Sequence, residues 1–211
     1  MYSMDCVTPL EHIVERCIEV GINCVAIADH GTIAGALKMK ELAPFSVIVA
    51  EEILTPSGEI IGLFLTEEIP SNLSVEETLA RIKAQDGFVC IPHPFDTLRP
   101  SAFKNPALEN IMPQVDIIEG LNARSLSSNS STKALQLAHN YGKLVSAGSD
   151  AHTTSEIGNA YVEMPEFNGK DDFLNSLAQG RISGHRSNPL VHFASTWAKL
   201  KSFNSGEGSL C

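Results

Sequence analysis

The sequence predicts an α/β fold in which helices cover a parallel sheet or barrel. Apolar runs of strand length alternate along the chain with amphipathic segments of helix length, which is the order that parallel strands require. Four of the apolar runs lead directly into His, Asp or Glu, as in α/β barrels that gather ligands at one rim. The chain has 211 residues, 43% of them hydrophobic, so we expect a single domain over 1–203 and a disordered tail over 204–211.

Local signals place the individual elements. The capping pattern from Thr8 to Glu11 predicts a first helix that ends at Gly21, and the pattern from Ser74 to Glu77 predicts a helix that ends near Gly87. A turn at 56–58 predicts a hairpin. The predicted strands are 24–28, 46–50, 60–65, 88–92, 115–119, 144–148 and 160–164. The further predicted helices are 33–42, 131–141, 170–179 and 189–203.

Composition limits the classes of function. A formal net charge of -10 argues against a broad surface for long nucleic acid. The sequence has neither an apolar run of membrane-spanning length nor a signal-peptide pattern, so we expect a cytoplasmic protein with no membrane partner. Its five cysteines include no C-x-x-C pair, and those in apolar segments are expected to be small core residues in a reducing compartment.

The residues that end the predicted strands are the types that ligate metals. The candidate metal ligands are Asp5, His30, Glu52, His93, Asn122, Asp150 and His152. Glu51 and Glu52 cannot both face the interior, so we expect Glu52 to be the ligand and Glu51 to be solvated. Each candidate also has a structural alternative. For example, Asp5 could be a turn residue, His30 a helix cap, and His93 a turn histidine between two prolines.

Six segments in order resemble the PHP (polymerase and histidinol phosphatase) superfamily. These segments are Tyr2-Ser3-Met4-Asp5, Ala28-Asp29-His30-Gly31-Thr32, Glu51-Glu52-Ile53, Ile91-Pro92-His93-Pro94, Glu119 to Asn122, and Gly148-Ser149-Asp150-Ala151-His152. The resemblance covers residues 1 to about 165 and implies a distorted seven-stranded (β/α) barrel with up to three divalent metals that hydrolyses phosphoesters. It assigns one metal to Asp5, His30 and His152, a second to Glu52, His93 and Asn122, and a third to Glu52 and Asp150.

The start of the sequence departs from the family pattern. Members carry H-x-H on a first strand, a few residues before the segment that matches Tyr2 to Asp5, whereas this sequence begins at Met1. We therefore expect a barrel without its first strand and fewer metals than three. The two explanations are a truncated copy of a longer protein, which we favour because the other motifs are intact, and a natively shortened one.

The function implied by the resemblance is hydrolysis of a small phosphoester, such as a nucleotide or a sugar or amino-alcohol phosphate, by metal-activated water. The mixed His/Asp/Glu set suits Mn, Zn or Fe. Arg99 and Arg124 are candidates to neutralise the phosphoryl oxygens, and Asp29 or Asp150 to orient a histidine or assist proton transfer. The alternatives are a catalytically impaired PHP-like metal-binding or scaffold domain and the nuclease domain of a polymerase. Oligomeric state is left open.

Overall fold

A computed structural model describes residues 8–103 and 107–187. The strands of the main sheet, in both chain and spatial order, are β1 Cys24–His30, β2 Ser46–Thr55, β3 Gly58–Leu63, β4 Phe88–Ile91, β5 Ile117–Asn122 and β6 Leu144–Gly148. A separate antiparallel pair, β7 Ala160–Glu163 with β8 Arg181–Gly184, lies beside β6. The helices are α1 Leu10–Glu19, α2 Ala34–Leu42, α3 Val75–Ala84, α4 Ala107–Ile111, α5 Ser128–Tyr141 and α6 Lys170–Leu177.

The main sheet is mixed and curls into half of a barrel. The pairs β1–β2, β4–β5 and β5–β6 are parallel, whereas β3 runs antiparallel to both of its neighbours. The β2–β3 hairpin accounts for this because two strands joined by a two-residue turn must be antiparallel. The α/β prediction is confirmed. Closure into a seven-stranded barrel stays a prediction.

Side chains alternate between two apolar faces of the sheet, as the period of a strand dictates. On the outer face, Ile53 of β2 packs in one cluster with Leu79 and Ile82 of α3. On the inner face, Ala50 of β2 packs in a second cluster with Phe173 of α6. Glu52 shares the inner face with Ala50, and Glu51 shares the outer face with Ile53. The faces of these two carboxylates are thus fixed by the same alternation that builds the core.

Three strands extend further toward the candidate ligands than the sequence indicates. β1 continues to His30 and β2 to Thr55, because the β1–β2 register pairs His30 with Glu52 and the hairpin holds β2 as far as its turn. β5 begins at Ile117 and ends at Asn122, where the prediction was 115–119. The candidate residues at these positions therefore lie within strands rather than in the loops that follow them.

The two predicted capping patterns differ in outcome. Ser74 caps α3 as expected, since its hydroxyl accepts a hydrogen bond of 3.1 Å from the amide of Glu77. The capping box predicted at Thr8 is wrong. The N-cap residue of α1 is Pro9, whose side chain offers no hydrogen-bond acceptor. Helix α4 and strand β8 were not predicted, since five and four residues respectively are too short to establish a period.

The predicted helix over 189–203 and the tail over 204–211 lie outside the described residues. Within residues 8–103 and 107–187, no helix combines the length and apolar character needed to cross a membrane.

Candidate metal centre

The β2–β3 hairpin brings two glutamates to the same face of the sheet. Its register pairs Glu52 with Ile61 and Leu54 with Glu59, so the two carboxylates are diagonal neighbours across the ladder. The turn is fixed by Thr55, whose hydroxyl donates a hydrogen bond of 2.6 Å to the carbonyl of Gly58. Both glutamate side chains are about nine-tenths buried.

Each of these carboxylates contacts the same two imidazoles. Glu52 Oε2 lies 3.3 Å from His30 Nδ1, and Glu52 Oε1 lies 3.1 Å from His93 Nε2. Glu59 Oε1 lies 3.9 Å from His30 Nδ1, and Glu59 Oε2 lies 3.4 Å from His93 Nε2. The side chain of His93 is 2% exposed and that of His30 is 41% exposed, so the group is buried on one side and reachable by solvent on the other.

The electrostatics of this group favour a cation. Burial, and then the neighbouring charge of Glu52, raise the pKa of Glu59 above its ordinary value. Burial alone would lower the pKa of His93, but its hydrogen bond with Glu52 and the surrounding carboxylates raise it overall. Two adjacent buried carboxylates repel each other, and a divalent ion between them would relieve that repulsion. His30, Glu52 and Glu59 each offer a ligand atom within 4.8 Å of the others.

A buried glutamate on β5 holds His93 in place. Glu119 Oε2 accepts a hydrogen bond of 2.6 Å from the backbone amide of His93 and one of 3.0 Å from the side-chain amide of Asn122. Burial raises the pKa of Glu119 to about 7. Gly148 on the adjacent strand makes room for this carboxylate, since a Cβ at Gly148 would collide with Glu119 Oε1.

The backbone around the site adopts conformations that side chains disfavour. His93, Phe95 and Asp150 have φ angles of 30°, 65° and 51°, in the left-handed region that glycine prefers. Each such residue costs on the order of 1 kcal/mol or more and persists where surrounding contacts hold it. Three of the six such residues among those described thus lie in the loops after β4 and β6, at the same end of the sheet as the candidate ligands.

The loop after β6 supplies a second group of candidate ligands. His152 Nδ1 lies 2.9 Å from the backbone carbonyl oxygen of Asp150 and 3.5 Å from its Oδ1. The side-chain amide of Asn122 donates to Asp150 Oδ2 at 3.2 Å, and Asn122 Oδ1 accepts from the backbone amide of Arg124 at 2.9 Å. Asn122 therefore orients its neighbours with both ends of its amide.

The two candidate arginines occupy different environments. Arg99 forms an ion pair with Asp150 and lies 3.7 Å from Asp96, with its side chain 22% exposed. Burial would raise the pKa of Asp150, but the charges of Arg99 and then of His152 lower it overall. Arg124 is 4% exposed, and its Nη1 lies 3.4 Å from the buried Glu156 Oε1, so its guanidinium is directed into the protein.

The remaining residues considered from the sequence are Asp29, Glu51 and Asp5. Asp29 pairs with Glu51 in the β1–β2 register, so alternation places both on the outer face, opposite His30 and Glu52. The expectation that Glu51 is solvated is wrong. Its side chain is fully buried and its Oε2 accepts a hydrogen bond of 2.9 Å from the amide of Ile69, because the outer face is covered by helices. Asp5 lies outside the described residues.

A cavity of about 910 Å³ connects the two groups of side chains. Its polar lining includes His30, Glu52, His93, Asn122, Asp150 and His152. One wall is apolar and is formed by inner-face residues such as Ile48, Ile61 and Leu63. A small molecule that carries a charged group could place that group at the polar end and be surrounded elsewhere by apolar side chains.

Sequence reasoning missed Glu59, Glu119 and Glu156. The observed hairpin has a two-residue turn that pairs Thr55 with Gly58 and so puts Glu59 on the face of Glu52, whereas the three-residue turn expected at 56–58 would put it on the other face. Glu119 belongs to one of the six segments that resemble the PHP superfamily, but the sequence does not indicate which groups an acidic residue in a buried strand contacts. No local pattern indicated the contact of Glu156 with Arg124, because the two residues are distant in sequence.

Comparison with known proteins finds a family model that matches part of the chain and solved structures with a similar fold. Residues 129–182 match the model of the PHP-associated family. The fold is similar to that of a two-domain protein from Bacteroides vulgatus that contains a predicted PHP-like metal-dependent phosphoesterase, with a TM-score of 0.72 at 16% identity over 87% of this chain and 62% of that one. The family model matches part of the chain, and the structural similarity shows a fold shared with a PHP-like protein.

Two further similarities extend the comparison. A proposed metal-dependent phosphoesterase from Bifidobacterium adolescentis shares the fold, with a TM-score of 0.60 at 16% identity over 71% of this chain and 84% of that one. An uncharacterized protein of Methanocaldococcus jannaschii is 43% identical over 140 residues, which are 62% of this chain. The chain spans 59% of the length of that relative.

Proposed function

We propose that this protein is a PHP-like metal-dependent phosphoesterase that hydrolyses a small phosphoester with metal-activated water. The observation that carries the proposal is the arrangement in which Glu52 and Glu59 each contact both His30 and His93. Two carboxylates that share two imidazoles form a compact set of four ligands for one divalent ion. The set lies at the polar end of a cavity large enough for a nucleotide or a sugar phosphate.

The donor chemistry fits a divalent transition metal. Imidazole nitrogens combined with carboxylate oxygens suit Mn, Zn or Fe, and the raised pKa of Glu59 reflects negative charge that a cation would balance. We propose His30, Glu52, Glu59 and His93 as one ligand set. Asp150 and His152, on the other wall of the cavity, are proposed to bind a further ion or to orient substrate.

In the proposed mechanism, the protein side chains position the reactants. His30, Glu52, Glu59 and His93 would hold a divalent ion, which when bound would lower the pKa of a water and polarise the phosphoryl oxygens. Glu119 fixes His93 through its backbone amide, so that the imidazole stays directed at Glu52 and Glu59. Arg99, which is paired with Asp150 and partly exposed, is proposed to bind a non-bridging phosphoryl oxygen. Arg124 is not proposed for that role, because its guanidinium is buried.

The proposed substrate is small rather than a long nucleic acid. A chain with a net charge of -10 would repel an extended phosphate backbone, whereas a single phosphoester needs only the local positive charge of metal and arginine. The apolar wall of the cavity would contact the organic part of the molecule.

Hydrolysis of 4-nitrophenyl phosphate tests the proposal. The protein is stripped with a chelator and assayed with and without Mn²⁺, next to the variant His93→Ala and the control His139→Ala, which lies exposed on α5. We expect turnover that requires metal, falls about 100-fold or more in His93→Ala and is unchanged in the control. Turnover that is equal with and without metal, or equal in both variants, would contradict the proposal.

A second candidate function is a PHP-like domain that binds metal without hydrolysing esters. The observation in its favour is that both ends of the Asn122 amide, and the Arg99–Asp150 pair, are engaged within the protein. Calorimetric titration with Mn²⁺ separates the two functions. Tight binding that depends on Glu52 and His93 but gives no turnover on a panel of phosphomonoesters and phosphodiesters would favour the second.

A further inference from the structure

A buried ion pair joins the two loops that carry the second group of candidate ligands. Arg124 Nη1 and Glu156 Oε1 are 3.4 Å apart, and their side chains are 4% and 1% exposed. Arg124 comes two residues after Asn122, at the end of β5, and Glu156 comes four residues after His152, in the loop beyond β6. Neither guanidinium nor carboxylate faces the cavity, so the pair does not bind substrate.

The Glu156 carboxylate is the centre of a network that fixes the His152 loop. Its Oε2 accepts hydrogen bonds from the backbone amides of His152 and Thr153, at 3.1 and 2.9 Å, and from the Thr153 hydroxyl at 3.0 Å. A carboxylate that accepts three bonds holds the backbone in one conformation more firmly than a neutral acceptor would. The position of the His152 backbone is thus set by Glu156.

The arginine end of the pair is tied to the opposite loop. The backbone amide of Arg124 donates to Asn122 Oδ1 at 2.9 Å, and Asn122 Nδ2 donates to Asp150 Oδ2 at 3.2 Å. A chain of contacts therefore runs from Asp150 through Asn122 and Arg124 to Glu156, and from there back to His152. Because buried ion pairs contribute little net stability compared with apolar residues of similar volume, this one is better explained by the geometry that it imposes.

That geometry determines which nitrogen His152 can offer. His152 Nδ1 lies 2.9 Å from the carbonyl oxygen of Asp150, which can only accept a hydrogen bond, so Nδ1 carries the proton. The lone pair of the neutral ring is then on Nε2, the nitrogen that would ligate a metal. A shift of the His152 backbone would break this bond and release the preference for one tautomer.

We infer that Arg124 and Glu156 are positioning residues that hold His152 with its Nε2 ready to ligate a metal. The statement that His152 ligates a metal rests on the proposed function. The tautomer of the His152 ring, in contrast, is a property of the metal-free protein. The tautomer and the metal binding can therefore be tested separately.

The test measures the His152 ring directly in the metal-free full chain. Nitrogen-15 NMR of the histidine side chains at pH 8.5 reports the tautomer of each ring, with His152→Gln to assign the signal. We expect His152 to be almost entirely the Nδ1–H tautomer in the wild type. In Glu156→Gln and in Arg124→Met we expect a mixture of tautomers. We also expect an affinity lowered about 10- to 100-fold for the further Mn²⁺ ion that His152 would ligate, as distinct from the ion at His30, Glu52, Glu59 and His93. In the double variant this Mn²⁺ affinity should fall by less than the product of the two single-variant factors, because Arg124 and Glu156 act as a pair.

A core variant far from the loop separates positioning from general destabilisation. Leu79→Ala, on α3 and fully buried, should lower the melting temperature while leaving the His152 tautomer and Mn²⁺ affinity as in the wild type. The inference is overturned if Glu156→Gln keeps the wild-type tautomer and affinity, or if Leu79→Ala changes both as strongly. If the wild type shows the single tautomer but binds no metal, the positioning of the ring stands and the proposed function fails.

Discussion

Glu52 and Glu59 lie diagonally across the β2–β3 ladder, and each places one carboxylate oxygen near His30 and the other near His93. The distances of 3.1 to 3.9 Å are those of side chains that face a common centre. The hairpin register and the parallel pairing with β1 bring His30, Glu52 and Glu59 together, and the loop after β4 adds His93. The metal centre proposed for this protein thus follows from strand pairing and from the loop that Glu119 holds.

Glu59→Gln should weaken metal binding and stabilise the metal-free protein slightly. The amide removes a carboxylate whose pKa burial and Glu52 raise, so repulsion falls, but it is also a poorer metal ligand. We expect Mn²⁺ affinity to fall about 100-fold and the metal-free melting temperature to stay equal or rise. Calorimetric titration and thermal unfolding with and without Mn²⁺ measure both.

Glu77→Gln is the matched control for that variant, because Glu77 is an exposed glutamate on α3 that pairs with Arg81 at 2.8 Å. It should leave Mn²⁺ affinity unchanged. Equal affinities in wild type, Glu59→Gln and Glu77→Gln would remove Glu59 from the ligand set.

Gly148→Ala should damage the site through Glu119. The added methyl group would collide with Glu119 Oε1 and push the carboxylate away from the His93 amide. Overpacking of this kind costs about 1–3 kcal/mol, which corresponds to a melting temperature lower by several degrees in a chain of this size. We expect Mn²⁺ affinity to fall as well, since His93 loses its anchor. A variant with both wild-type stability and wild-type affinity would show that Glu119 does not hold His93.

Glu51→Gln should change how stability depends on pH. Burial raises the pKa of Glu51 from 4.5 to about 7, so between these values the folded protein holds a proton that the unfolded chain has released. The free energy of unfolding therefore falls as pH rises from about 4.5 to about 7, by up to about 3 kcal/mol for this group, and is level above. The glutamine variant lacks this contribution.

Urea unfolding at pH 5 and pH 8 measures the effect. At pH 8 we expect Glu51→Gln to be more stable than the wild type, and the loss of stability between the two pH values to be smaller. The remainder belongs to other groups whose pKa is raised, namely Glu119, for which burial raises it to about 7, Glu59 and His93. An unchanged difference between pH 5 and pH 8 would refute the assignment to Glu51.

Arg99→Met should separate substrate binding from metal binding. Removal of the guanidinium takes away the positive charge proposed for the phosphoryl oxygens, so kcat/KM for 4-nitrophenyl phosphate should fall about 100-fold. Mn²⁺ affinity at pH 8 should not fall, because the loss of a nearby positive charge does not oppose a cation. A parallel loss of both quantities would mean that Arg99 acts by supporting Asp150 rather than by contacting substrate.

Much of the fold could be predicted because the chain alternates strongly between strand and helix patterns. That His30, Glu52 and His93 lie close together was also predicted, since each follows a predicted strand and the ends of adjacent strands meet. What the sequence could not provide is the direction of side chains that depend on distant partners. Arg99 and Arg124 are equivalent loop arginines in the sequence, yet one pairs with Asp150 near the cavity and the other is buried against Glu156.

The same limit explains the two adjacent glutamates. Glu51 and Glu52 were correctly expected to face opposite ways, but solvation of Glu51 was inferred from its charge. The structure instead buries it under the helices of the outer face, with Ile69 as a hydrogen-bond donor. Whether a strand has one covered face or two depends on packing between distant segments, and periodicity alone does not report it.

The most direct test of the metal centre is a crystal of the full chain grown with Mn²⁺ and measured for anomalous scattering. The account predicts a strong anomalous peak about 2.0–2.3 Å from ligand atoms of His30, Glu52, Glu59 and His93. A well-ordered structure with no peak between these four side chains, or with Mn²⁺ bound only elsewhere, would contradict it.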